Sequence, residues 1–155
     1  MLMTTEKLQD FSNMKEIFNS HSTEETEQIA RNFATKLDTG KPEFVAMFGD
    51  LGVGKTAFVR GVASLLASGA RVKSPTFTVV NEYHGDKLPL YHFDVYRITD
   101  DDDLYSTGFY DYPGTGVCVC EWSENIPEAI PDGAYSVSIE YVDEEKRRIT
   151  IKKRD

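Results

Sequence analysis

Gly49-Asp50-Leu51-Gly52-Val53-Gly54-Lys55-Thr56 fits the spacing G-x-x-x-x-G-K-[ST]. Those residue types at that spacing suit one chemistry. The glycines let the backbone curl until successive N–H groups point inward at phosphate oxygens. The lysine reaches the β- and γ-phosphates, and the hydroxyl after it ligates Mg²⁺. A helix starting behind the loop adds the positive end of its dipole. Gly49 to Thr56, with the adjoining Ala57, are therefore the expected nucleoside-triphosphate-binding segment, and Lys55 also has a catalytic role.

A phosphate loop needs a metal-side acid at the end of an apolar strand. Val117-Cys118-Val119-Cys120-Glu121 is such a strand, and Glu121 is the candidate to hold Mg²⁺ through water or to orient the attacking water. In His92-Phe93-Asp94-Val95-Tyr96-Arg97, strand alternation puts His92 and Asp94 on one face. Asp94 is a second carboxylate for the magnesium shell, while His92 reads as structural or as a support behind it. Arg97 either stabilises phosphate charge or pairs with an acid, and pairing is the stronger expectation. Trp122 reads as packing more than as a base-stacking group. Ser74-Pro75-Thr76-Phe77 lies beyond the loop, where a hydroxyl can belong to a mobile segment sensing the γ-phosphate, so Ser74 and Thr76 are candidates for a switch-like loop. Thr35-Lys36-Leu37-Asp38 imitates the guanine-selecting motif of GTPases, but it precedes the phosphate loop and lies in an amphipathic helix. It reads as a helix C-terminus.

The elements that must position these groups follow from periodicity. Residues 1–13 are polar and aperiodic, an expected disordered lead, with Met14 a candidate for the true start. Lys15–Phe18 reads as a weak strand. Ser22-Thr23-Glu24-Glu25 fits a capping box, followed by Ile29, Ala30, Phe33, Ala34 and Leu37 at helical spacing, with Gly40 ending the helix. Glu43–Phe48 is an apolar strand leading into the loop. Phe58, Val59, Val62, Leu65 and Leu66 mark the buried side of the next helix. Thr76–Tyr83, Leu88–Arg97 and Gly116–Cys120 read as strands. Thr99 and four aspartates open a short helix, and Tyr135–Val142 with Arg147–Lys152 form a hairpin. The fold class is α/β: a three-layer phosphate-loop NTPase-like architecture with a mixed central sheet, residues 14–155 forming one domain.

Composition narrows the function. The chain has 155 residues, 40% hydrophobic and 28% charged, enough for one packed core. No apolar run approaches the roughly 18 residues of a membrane span, and the start carries no apolar signal segment. Two cysteines, Cys118 and Cys120, allow no disulfide framework and no four-cysteine zinc site. A cytoplasmic protein is expected. Net charge is −9, and it is uneven: residues 84–145 hold 15 acidic and 2 basic side chains, a net of −13. Such a surface repels nucleic-acid backbones and suits a basic protein partner.

GDLGVGKT, VKSPTFTVVNEY, YHFDVYR and CEW, in this order, resemble the bacterial TsaE (YjeE) ATPases of tRNA threonylcarbamoyladenosine synthesis. The resemblance spans about residues 14–151. The two cysteines before Glu121 stand where the family usually has aliphatic residues. It implies a cytoplasmic ATPase, weak alone, that binds ATP and ADP with Mg²⁺. It also implies a working partnership with the TsaD and TsaB proteins, which transfer the threonylcarbamoyl group to the adenosine beside the anticodon. This chain would reset that pair between turnovers and would not bind tRNA directly. Carried onto this sequence, Thr56 and Glu121 hold the metal, Asp94 supports metal or water, Thr76 lies in the mobile loop and Thr23 adjoins the adenine. Two other classes are a small-molecule or nucleotide kinase and a nucleotide-sensing scaffold that does not hydrolyse. Kinases use several basic residues to clamp an acceptor, and residues 84–145 offer only Lys87 and Arg97.

Overall fold

The computed structural model describes residues 14–50 and 52–154; the expected disordered lead and Leu51 lie outside them. Seven strands form one sheet: β1 (Lys15–Ser20), β2 (Glu43–Phe48), β3 (Val80–Tyr83), β4 (Leu90–Asp94), β5 (Val117–Glu121), β6 (Tyr135–Asp143) and β7 (Lys146–Lys153). Their order is β1-β7-β6-β2-β5-β4-β3. The central β6-β2-β5-β4 pairings are parallel, whereas β1, β3 and β7 pair antiparallel with their neighbours. The sheet is mixed, as the sequence predicts.

Helix α1 (Thr23–Ala34) and helix α2 (Lys55–Leu66) cover one face. Their apolar stripes meet Val45, Met47, Val119, Val137, Ile149 and Ile151 in the larger core cluster. Phe58 at its centre is fully enclosed, and burying such a side chain contributes about 1.5–3 kcal/mol. Gly61 lets the helices touch. A Cβ there would lie 2.2 Å from the Glu27 carbonyl oxygen and 2.6 Å from Ala30 Cβ. On the opposite face Phe44, Ala46, Tyr91, Phe93, Cys118 and Cys120 are covered by residues 95–134. That cover is largely loops and short turns, with one helix, α3 (Asp101–Ser106). The cysteines share this face and are both free and buried, and burial pushes the Cys118 thiol up to about 12.

Several boundaries differ from expectation. Helix α1 ends at Ala34 and continues only as a turn to Leu37, because Thr35 Oγ1 donates to the Asn32 carbonyl at 2.7 Å. Ser22 caps α1 as predicted, accepting from Glu25 N–H at 3.0 Å. The Glu25 carboxylate instead meets His21 Nδ1 at 3.3 Å. Only Val80–Tyr83 of the expected strand Thr76–Tyr83 pairs. Residues 76–79 make a turn closed by Val79 N–H to Pro75 O at 2.9 Å, with Val79 at φ 68°. The expected strand Leu88–Arg97 shortens to β4, because Asp94 accepts from Tyr96 N–H at 2.9 Å and bends the chain away. No helix among the described residues is long and apolar enough to cross a membrane.

Candidate active site

The phosphate loop joins the C-terminal end of β2 to the N-terminus of α2. This is where parallel α/β sheets place their ligand crevices. Gly54 precedes α2 at φ 108°, a left-handed conformation that only glycine adopts without strain. Helix α1 carries Glu24 and Glu25 in its first turn, and α3 carries Asp101, Asp102 and Asp103. Helix α2 has no acid in its first turn. Its own side chains therefore leave the positive end of its dipole unneutralised, ready for an external anion.

Lys55 is buried although charged. Its Nζ donates to the Gly49 carbonyl and lies 3.5 Å from the centre of the Trp122 ring. Burial lowers its pKa, opposed by the charges of Glu124, Glu121, Asp94 and Asp50. Trp122 in turn packs on Tyr96, ring centres 4.8 Å apart. It packs on Tyr96 and on the lysine, and it also lines the cleft described below. Its backbone sits at φ 65°, turning the chain sharply out of β5.

The metal-side groups converge from separate elements. The β4–β5 register sets Asp94 opposite Glu121. Thr56 Oγ1 donates to Glu121 Oε2 at 3.3 Å. His92 Nε2 meets that same oxygen at 2.5 Å. His92, expected behind the site, is fully enclosed. Asp94 is half-buried, and its pKa is raised, chiefly by burial and further by Glu121, against the lowering effect of the Tyr96 N–H bond. The donors offered, one hydroxyl and two carboxylates, are hard oxygens of the kind Mg²⁺ takes. Among the described residues no cluster of three or more acidic, histidine or cysteine side chains could cage an ion.

Thr23, Gly52, Gly54, Lys55, Thr56 and Ala57 line one cleft of about 440 Å³ together with Ser74, Thr76, Asp94 and Glu121. These candidates come from five separate stretches of chain. Asp50, exposed, and Val53, buried, belong to the loop but not to that lining. Val53 lines a second cavity, between the start of α1 and the β6–β7 hairpin, where Thr23 also contributes. Ser74 Oγ and Thr76 Oγ1 lie 3.1 Å apart on the cleft rim. The imitation GTPase motif lies elsewhere: Asp38 pairs with Lys87 at 3.2 Å.

Two groups, Arg60 and Glu124, were not legible in the sequence, and a third, Arg97, is placed otherwise than expected. Arg97 does not pair with an acid among the described residues, contrary to expectation. Its guanidinium stacks 5.3 Å from the Phe77 ring, beside the cleft, because β4 ends early and releases it from the sheet. Arg60, one turn beyond Thr56, also lines the cleft and contacts Glu27 at 3.3 Å; its i+4 spacing from Thr56 was the available signal. Glu124 accepts from Gly49 N–H at 3.2 Å, tying the turn after β5 to the start of the loop. Nothing in its local sequence marks that.

The family model for "Threonylcarbamoyl adenosine biosynthesis protein TsaE" matches residues 20–149. The chain belongs to the TsaE family. A Bacillus subtilis relative, tRNA threonylcarbamoyladenosine biosynthesis protein TsaE, is 39% identical over 128 residues, 83% of this chain and 79% of its own. The protein of that name from Treponema pallidum is 36% identical over 133 residues, 85% of this chain and 96% of its own. The crystal structure of Bacillus subtilis YdiB superposes with a TM-score of 0.72 at 33% identity, covering 92% of this chain and 88% of that one. Family membership accounts for a phosphate loop and a strand-end carboxylate on one α/β sheet, the coarse signature of a nucleotide hydrolase.

Proposed function

We propose that the chain is the ATP-binding and hydrolysing subunit in the synthesis of threonylcarbamoyladenosine on tRNA, acting in the cytoplasm. It would support the TsaD–TsaB pair and leave the group transfer to them. The observation that carries this reading is the meeting of Thr56 with Glu121, beside a lysine at the N-terminus of a helix with no acid in its own first turn. The loop N–H groups and Lys55 would hold the triphosphate of ATP and later the diphosphate. Thr56 and Glu121 would hold Mg²⁺, which neutralises phosphate charge when bound. Asp94 would orient water. Ser74 and Thr76 stand where a segment could close on the γ-phosphate. Thr23 and the cavity beside it would take the adenine.

Phosphoryl transfer depends on positioning and on neutralising charge more than on covalent chemistry. Lys55 has a place in that scheme, and so does Arg97, which pairs with no acid among the described residues. Lys87 does not, since it is tied to Asp38. A kinase clamp is thereby disfavoured. Low activity of the chain alone, raised when partners order the 74–77 segment, is the expected behaviour. The test is ATP hydrolysis measured with and without TsaD and TsaB. Stimulated turnover supports the proposal; turnover that requires a phosphate acceptor, or none with partners present, overturns it.

A further inference from the structure

His92 is not needed to fill the core, and it fills it badly. It is fully enclosed on β4, yet its Nδ1 is the one enclosed side-chain nitrogen or oxygen among the described residues without a hydrogen-bond partner. An unpaired buried polar atom lowers stability, and an aliphatic side chain would avoid it. The other ring nitrogen is where the residue differs from an aliphatic one. Nε2 lies 2.5 Å from Glu121 Oε2, and a carboxylate oxygen can only accept, so Nε2 carries the hydrogen. Thr56 donates to that same oxygen. Among the described residues both bonds to the Glu121 carboxylate fall on Oε2, none on Oε1, and Glu121 lines the cleft.

We infer that His92 is a positioning residue: by clamping Oε2 from beneath, it fixes the Glu121 carboxylate so that Oε1 faces the nucleotide and its metal. This rests on the proposed role of Glu121. The geometry favours it in two ways. Glu121 ends β5, at the last pair of the β4–β5 register, where the chain turns out through Trp122 and the backbone alone leaves the side chain several rotamers. His92 lies two residues back on the adjoining strand, on the same face, and so reaches the carboxylate from the buried side. Carboxylates that ligate a metal are themselves held by hydrogen bonds from residues behind them, and loss of such a partner typically costs about 10–100-fold in metal affinity or activity.

The test compares His92→Leu, which removes the donor and keeps the bulk, with His92→Gln, whose amide N–H restores it. Calorimetry on the full chain gives ADP affinity in EDTA and across a Mg²⁺ series, and partner-stimulated ATPase gives kcat and KM. For His92→Leu we expect metal-free ADP affinity within about twofold of the parent. The Mg²⁺ concentration for half-maximal binding should rise about tenfold or more and kcat fall similarly, with KM little changed. His92→Gln should recover most of both. Should His92→Leu not fold, His92→Met carries the same comparison. An apolar variant with the parent's Mg²⁺ dependence overturns the inference, and so do Gln and apolar variants that are equally impaired. A parent that binds Mg²⁺-nucleotide without hydrolysing it defeats the proposed function, while the Mg²⁺ series still decides the role of His92. A parent whose nucleotide binding ignores Mg²⁺ overturns both.

Discussion

On one wall of the cleft, residues 49–57 would grip a phosphate chain with backbone N–H groups and a single lysine. On the other, Asp94 and Glu121, with His92 enclosed beneath them, come from two strands whose contacting residues lie 29 positions apart. The first wall is local and built mainly from backbone. The second consists of side chains held by register and burial. The difference teaches that holding a nucleotide and acting on it depend on separable parts of the chain, which substitutions can take apart.

The largest effect should come from the carboxylate wall. Glu121→Ala and Asp94→Ala leave the loop intact, so each should retain measurable ATP binding while partner-stimulated hydrolysis falls, on the order of 100-fold or more for Glu121. A mutant hydrolysing at the parent rate would remove that residue from the wall. Next, Lys55→Ala deletes the charge facing the phosphates. Calorimetric affinity for ATP should weaken by about 100-fold, which corresponds to about 2.8 kcal/mol. Unchanged affinity in a folded mutant would show that the backbone alone is sufficient and would break the comparison on its other side.

A smaller effect concerns the surface that brings partners to the cleft. The acidic 84–145 half, net −13, should steer a basic partner face, and screening shortens that reach from about 10 Å at 0.1 M salt to about 3 Å at 1 M. Partner stimulation should therefore fall several-fold across a salt series, and replacing Asp100 to Asp103 by Asn should lower it at low salt. Stimulation indifferent to both would discard electrostatic docking.

The smallest effect sharpens the strain on the carboxylate wall. Asp94 has a folded pKa above its ordinary value because burial disfavours its charge. The folded state then binds the proton more readily than the unfolded one, so ionised Asp94 opposes folding above its raised pKa. That penalty disappears as pH falls to the ordinary aspartate value. Asp94→Asn preserves the acceptor for Tyr96 N–H. At neutral pH it should raise the Tm slightly. The advantage should vanish below about pH 4. A mutant less stable than the parent at pH 7 would contradict this account.

The order of elements pointed to a mixed sheet, and the sequence by itself determined the phosphate-loop motif, its flanking strand and helix and the α1 cap. Each depends on interactions within a few residues: glycine torsions, hydroxyl capping, and apolar periods matching a helix or a strand. The early end of β4 is also local, Asp94 turning back to Tyr96 N–H, but the strand-forming residue types through Tyr96 masked it. The tertiary structure alone decided that Arg97 stacks on Phe77, that Glu124 reaches Gly49 and that Trp122 faces Lys55. It also decided that His92 and Thr56 share one oxygen of Glu121. Those contacts join residues far apart in the chain, and strand register and burial select them; no local pattern of residue types encodes a register.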